Sequence, residues 1–169
     1  MKILSIGDLL LDVVVRYDPA LGEADAGPDA VRIEPGGSAA NFAVQAARLG
    51  AQTCFVSRVG RDWAGDMLVR SLQAEGVVPQ VLTIDEEPSG RVLVMVDPQG
   101  HRRMWSYPGA SRTLHPDDLD PAWFSNLDAF HLTGYSLLRE GREQPPTGRL
   151  HWPEPGALPS ARSTPTPAT

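Results

Sequence analysis

The sequence has little from which a basic or membrane-bound surface could be built. It contains one lysine and 14 arginines against 21 acidic residues, which gives a formal net charge of -6 over 169 residues. This charge argues against binding to nucleic-acid backbones, which requires a basic surface. The apolar run from Met1 to Tyr17 is interrupted by Asp8 and Asp12 and lacks the cleavage site of a signal peptide. We therefore expect no nucleic-acid partner, no membrane span and a cytoplasmic location.

Cysteine and histidine are too scarce for an internal disulfide or a recognisable metal site. Cys54 is the only cysteine and lies in an apolar run, where we expect it to be a core residue. The histidines are dispersed along the chain, at His101, His115, His131 and His151. We expect no metal site, and we interpret His131, which lies in an apolar run, as a hydrogen-bonded core residue.

Proline is concentrated at the carboxyl end. Seven of the 16 prolines lie in the last 29 residues, where the only large apolar side chains are Leu150, Trp152 and Leu158. Such a segment cannot bury enough surface to offset the entropy lost on ordering. We expect an ordered domain over residues 1–140 and a disordered tail over 141–169. A frameshift near Gly141 would explain the tail, because the excess of Arg over Lys indicates a GC-rich gene whose shifted frame encodes Pro, Arg, Ala, Ser and Thr.

Apolar periodicity predicts alternating strands and helices. Strands are predicted at residues 2–7, 9–17, 31–33, 53–59 and 129–132, with a hairpin formed by 91–96 and 102–107. Helices are predicted at 38–49, with Ser38 as N-cap, and at 62–75, with a short helical piece at 117–126. This order is typical of an α/β fold with a parallel core and a few additional strands.

A glycine-rich turn at the start of the first predicted helix is a candidate binding feature. Gly36 and Gly37 lack side chains, so the backbone can approach a ligand closely there, and the helix start offers free N–H groups. Asn41 lies about one turn later, and its amide can donate to one hydroxyl and accept from another. The alternative interpretation of this stretch is a tight loop followed by a packed helix.

Carboxylates near a strand end are the second candidate feature. Gly7 and Asp8 end the first predicted strand, and Asp12 follows on the next. Open α/β folds bind ligands at the carboxyl ends of their strands. An unpaired acid on an apolar strand is costly unless a ligand satisfies it, as a pair of sugar hydroxyls would. The turn at residues 59–65, with Asp62 as helix N-cap, is interpreted as structural.

These motifs, in this order and spacing, resemble the amino-terminal signature of the ribokinase-like (PfkB) family of carbohydrate kinases over about residues 1–139. The resemblance implies a ribokinase-like α/β fold with a parallel sheet, flanking helices and a small β-sheet lid. Lid strands are then expected at about residues 13–17, 31–35 and 91–107. The resemblance also implies that Asp12, Gly36, Gly37 and Asn41 hold the sugar hydroxyls. Tyr107, at the end of the lid hairpin, is a further candidate for substrate binding.

The resemblance covers only the amino-terminal half of such a kinase. The carboxyl half of family members carries a Gly-Ala-Gly-Asp motif, whose helix start binds the transferred phosphate and whose Asp acts as general base. The 169 residues contain no such motif. We therefore expect a fold truncated before the carboxyl-terminal half, with no catalytic, cofactor-binding or metal-binding residue in this chain. ATP and Mg²⁺ are expected for the full-length family.

The expected function follows from this resemblance. The chain is expected to be the substrate-binding half of an ATP-dependent kinase that phosphorylates a hydroxyl of a small-molecule sugar or nucleoside, and to be inactive by itself. For the full-length family the resemblance also implies a homodimer formed through the lid. Two alternatives stay open, a non-catalytic sugar-binding fragment and a nucleotide-binding α/β regulatory module.

Overall fold

The computed structural model describes residues 1–18, 27 and 29–137. These residues belong to one compact unit, Met1–Arg139. The predicted proline-rich tail at 141–169 lies outside the described residues, and its disorder therefore stays a prediction.

The described elements are mostly strands, with two longer helices in the first half of the chain. In chain order they are β1 (Lys2–Ile6), β2 (Leu10–Arg16), β3 (Val31–Gly36), α1 (Ser38–Arg48), β4 (Gln52–Gly60), α2 (Trp63–Ala74), β5 (Val78–Ile84), β6 (Gly90–Val96), β7 (Arg102–Tyr107), three 3₁₀ helices (Gly109–Thr113, Pro116–Asp118, Pro121–Phe124), β8 (Ala129–Leu132) and α3 (Gly134–Leu137).

The strands form two four-stranded sheets. The main sheet has the order β5-β4-β1-β8, and all its pairs are parallel. The small sheet has the order β3-β2-β6-β7, with β2 and β6 parallel and the outer pairs antiparallel. The predicted α/β architecture, with a parallel core and a second small sheet, is confirmed.

The helices α1 and α2 cover one face of the main sheet. Their apolar sides meet strand residues such as Phe55 in a cluster that includes Leu9, Leu68 and Leu72. The other face carries a second cluster around Leu4, Ile6 and Val56, covered by the segment of 3₁₀ helices. Because both faces are covered, the inner strands β1 and β4 are buried over most of their length. The carboxyl end of β1 is thereby held beside the start of α1.

The structure corrects three predictions about local elements. The strand β5 was not predicted, because Pro79 and Gln80 break its pattern; proline is tolerated here because β5 is the edge strand. The short helical piece predicted at 117–126 is divided into two separate 3₁₀ turns, each begun by a proline. Ser38 is not the N-cap of α1. That position is Gly37, whose φ of 106° suits glycine and which has no side-chain cap.

Candidate functional site

Asp12 lies on the small sheet with its carboxylate against the backbone of a glycine. Its register partner across the β2–β3 pair is Glu34. A Cβ atom built on Gly36 would collide with the Asp12 carboxylate, so the absence of a side chain at Gly36 lets the carboxylate take this position. Partial burial, together with the negative charge of Glu34, raises the pKa of Asp12. Among residues 1–18, 27 and 29–137, no group donates a hydrogen bond to this carboxylate, which leaves its acceptor positions open to a ligand.

The glycine pair joins the small sheet to α1. Gly36 ends β3, and Gly37 packs so closely on the backbone of Asp8 that a Cβ would collide with the Asp8 carbonyl. The backbone N–H of Asn41 donates to the Gly37 carbonyl (2.9 Å), which starts the helix. The Asn41 side chain is exposed and has no hydrogen-bond partner in the described part of the chain. The structure thus brings Asp12, Gly36 and Gly37 together, with Asn41 one turn along α1.

Tyr107 is not brought into this group. Its register partner is Arg91, which in turn pairs with Leu11, so Tyr107 lies on the face of the small sheet opposite to Asp12. The Tyr107 hydroxyl donates to Glu87 (2.5 Å), and this hydrogen bond together with burial raises the pKa of Tyr107. The predicted role of Tyr107 in substrate binding stays a prediction, and its hydroxyl is engaged elsewhere in this structure.

An open cleft of about 430 Å³ lies beside the start of α1. It is lined by Ser38 of α1 and by the end of β8 with the residues that follow, His131, Leu132, Thr133, Gly134 and Tyr135. Gly7 connects this cleft to the Asp8–Asp12 segment, since a Cβ there would contact Ala39 and Thr133. His131, interpreted from sequence as a core residue, is half-buried and lines the cleft. The sequence signal that could have indicated this role of His131 was its location near the carboxyl edge of the sheet.

The turn at residues 59–65 has a structural role. The Asp62 carboxylate accepts a hydrogen bond from Gly65 N–H (2.8 Å) and two from Ser89, through its backbone N–H (2.9 Å) and hydroxyl (2.7 Å). Burial pushes the pKa of Asp62 upward, but these hydrogen bonds outweigh it and hold the pKa below its usual value. Gly60 and Gly65 approach the Ser89 segment so closely that a Cβ on either would collide with it or with its neighbours. The predicted N-cap is correct.

Comparison with known proteins shows the family of this chain. The profile described as pfkB family carbohydrate kinase matches residues 1–144. The chain belongs to this family. The fructokinase of Solanum tuberosum is 32% identical over 142 residues, which cover 82% of this chain and 43% of that enzyme.

Solved structures of the pfkB family fold resemble this chain over most of its length. Adenosine kinase from Sinorhizobium meliloti matches with a TM-score of 0.69 and 26% identity, covering 79% of this chain and 47% of that one. Fructokinase with bound ATP from Xylella fastidiosa matches with a TM-score of 0.67 and 29% identity, covering 78% and 41%. The chain therefore spans less than half the length of these kinases.

The described part of this family member offers no metal centre and no transmembrane helix. Within residues 1–18, 27 and 29–137, no three His, Cys, Asp or Glu side chains group closely enough to hold a metal ion. The same residues include no helix of the length and apolarity needed to cross a membrane.

Proposed function

We propose that this chain supplies the sugar-binding part of an ATP-dependent carbohydrate kinase, with Asp12, Gly36, Gly37 and Asn41 as the residues that hold the hydroxyls of a sugar or nucleoside. Gly36 and Gly37 let the ligand approach the backbone at the start of α1. The exposed Asn41 amide can both donate and accept.

The main support for this proposal is the environment of the Asp12 carboxylate. It is half-buried, faces the like charge of Glu34 and receives no hydrogen bond from the described residues. Burying part of a charge without donors is unfavourable, and like charges nearby add to the cost. Adjacent hydroxyls of a sugar would supply two donors to one carboxylate. Gly36, which has no side chain, leaves the space that this carboxylate occupies.

ATP as phosphate donor and Mg²⁺ as its counter-ion are part of the same proposal for the complete kinase. ATP is bound in the related fructokinase structure from Xylella fastidiosa. When bound, the Mg²⁺–ATP pair supplies the phosphoryl group and neutralises charge during its transfer. A cytoplasmic location belongs to this proposal because ATP is held inside cells.

The proposal also includes a homodimer formed through the small sheet. The face opposite to Asp12 presents a row of apolar side chains across three of its strands, Ile33 (54% exposed), Leu93 (38%) and Trp105 (54%). Large apolar side chains grouped on one exposed face are typical of an interaction surface. A second copy of the same sheet would cover this row.

Sugar binding by the purified full chain tests the proposal. Ribose, fructose and adenosine are titrated calorimetrically into the wild type, Asp12→Ala and the control Asp66→Ala, which removes an exposed carboxylate on α2. A hydrogen bond to a charged group contributes about 1.5–3 kcal/mol. Asp12→Ala should therefore weaken binding of the preferred ligand about tenfold or more, and Asp66→Ala should leave it unchanged. Equal affinities of all three proteins, or no binding to any, would contradict the assignment.

A coupled assay with ATP and Mg²⁺ separates binding from catalysis. We expect these 169 residues alone to show no phosphoryl transfer to the three ligands, because the chain contains no Gly-Ala-Gly-Asp motif. Positioning and charge stabilisation of the phosphoryl group provide nearly all the catalysis in this reaction. Turnover above a protein-free control would contradict this part of the proposal.

A further inference from the structure

His131 is fixed on two sides within the cleft at the start of α1. Its ring stacks on Phe42 of α1, with ring centroids 3.8 Å apart and planes 14° apart. Its Nδ1 atom lies 3.0 Å from the Ser5 hydroxyl on the neighbouring strand β1. Ser5 is fully buried, and its hydroxyl also lies 3.0 Å from the Ala39 carbonyl. The ring therefore has a defined position and orientation.

These two contacts of Ser5 determine which nitrogen of His131 carries the proton. A serine hydroxyl has one hydrogen, and a carbonyl oxygen can only accept. The Ser5 hydroxyl therefore donates to Ala39, and it accepts from Nδ1–H of His131. Burial lowers the pKa of His131, which favours the neutral ring. In a neutral ring with the proton on Nδ1, the other nitrogen, Nε2, is a hydrogen-bond acceptor.

The described residues give the Nε2 atom no hydrogen-bond partner, and it is not among the buried polar atoms that lack a partner. His131 lines the cleft together with Ser38 and Thr133, while its Nδ1 is turned toward Ser5 of β1 and Phe42 covers one ring face. The chain thus maintains a fixed acceptor at a cleft that adjoins the proposed sugar site.

We propose that Nε2 of His131 accepts a hydrogen bond from a hydroxyl of the bound sugar or nucleoside and so contributes to substrate selection. This inference rests on the proposed function, because the ligand is the same. The acceptor is selective for a hydroxyl donor at one position. A ligand that lacks the hydroxyl, or that presents an acceptor there, would leave Nε2 unpaired. Asp12 and His131 would then contact different parts of one ligand.

The tautomer and its response to ligand are measured by NMR on the ¹⁵N-histidine-labelled full chain. The free protein should show His131 neutral, with the proton on Nδ1 and an unprotonated Nε2. Titration with ribose, fructose or adenosine should shift the Nε2 resonance with the same saturation curve as calorimetric binding. A proton found on Nε2, or an Nε2 resonance unmoved at saturation, would overturn the inference.

Two substitutions of His131 separate its two nitrogens. His131→Asn keeps an amide donor at the position of Nδ1, and therefore the Ser5 contact, but removes the acceptor at Nε2. His131→Gln places an amide oxygen near the position of Nε2. One neutral hydrogen bond corresponds to about a two- to tenfold change in affinity. We expect His131→Asn to weaken ligand binding by this factor and His131→Gln to recover most of it, with both variants folded by circular dichroism.

The pattern of results distinguishes the two proposals. If Asp12→Ala weakens binding while His131→Asn binds like the wild type, the inference about His131 is overturned and the proposed function stands. If His131→Asn weakens binding and Asp12→Ala does not, the inference stands and the Asp12 assignment fails. If ribose, fructose and adenosine bind to none of the proteins, both are overturned.

Discussion

Replacing Asp62 with alanine should weaken the junction between the main sheet and the small sheet. One carboxylate caps α2 through Gly65 N–H and also holds the backbone and hydroxyl of Ser89. Ser89 immediately precedes β6, so the Asp62 side chain also fixes the segment that leads into the small sheet. Asp62→Ala removes the acceptor for three donors and offers none in return. Two separate costs follow, one at the helix and one at the Ser89 segment.

The magnitude can be worked from these contacts. Loss of a side-chain N-cap costs about 1 kcal/mol. Ser89 is buried, and leaving its backbone N–H without an acceptor costs about 1–3 kcal/mol. Since Asp62 is itself partly exposed, water can replace part of what is lost, and we expect a total of about 2–3 kcal/mol. For a chain of this length the melting temperature should then fall by roughly 4–12 °C.

Urea unfolding followed by circular dichroism measures the loss directly. The matched control is Asp66→Ala, which removes an exposed carboxylate from the first turn of the same helix and should cost about 0.3–1 kcal/mol through the helix dipole. Asp62→Asn keeps one acceptor and should fall between the two. If Asp62→Ala unfolds at the same urea concentration as Asp66→Ala, the Ser89 contacts contribute nothing to stability and the expected loss is refuted.

The same residue predicts a pH dependence. The pKa of Asp62 is held below its usual value in the folded protein. A carboxyl group with a lowered folded pKa contributes stability above its unfolded pKa of about 4, and this contribution is lost as the pH falls through the folded value. The wild type should therefore lose more stability than Asp62→Ala on acidification below about pH 4. Parallel curves for the two proteins would show that the Asp62 carboxylate does not cause the acid sensitivity.

Three further predictions concern the small sheet. Burial and the charge of Glu34 raise the pKa of Asp12 in the folded protein. Folding therefore favours the neutral carboxyl group, and the stability that this gives is lost as the pH rises through the folded pKa. Asp12→Asn should raise the melting temperature at pH 7, this gain should vanish in acid, and sugar affinity should fall. A gain that persists in acid would point to a cause other than charge. Gly36→Ala should displace the Asp12 carboxylate and reduce calorimetric sugar affinity, and unchanged affinity would show that the carboxylate is free to move. Trp105→Asp should lower the sedimentation coefficient from that of a dimer to that of a monomer, whereas a wild-type monomer would remove the proposed interface.

The local features of the site could be predicted from the sequence because each depends on nearby residues. The glycines before α1 are needed by a backbone that turns sharply against Asp8, and Asp62 stands three residues before the Gly65 N–H that it caps. The even spacing along β2 is a property of any strand, so the face shared by Asp12 and its neighbours was predictable. The family resemblance depends on the same short-range patterns.

Relations between elements were decided only by the tertiary structure. Whether Tyr107 shares a face with Asp12 depends on the register of three paired strands, and a shift by one residue in either pairing would reverse the answer. The tautomer of His131 depends on Ser5, which is 126 positions away in the chain. The edge strand β5 forms despite Pro79 because β4 offers it a partner on one side. Such contacts join residues that are distant in sequence, and the periodicity of a single segment contains no information about its partner's register.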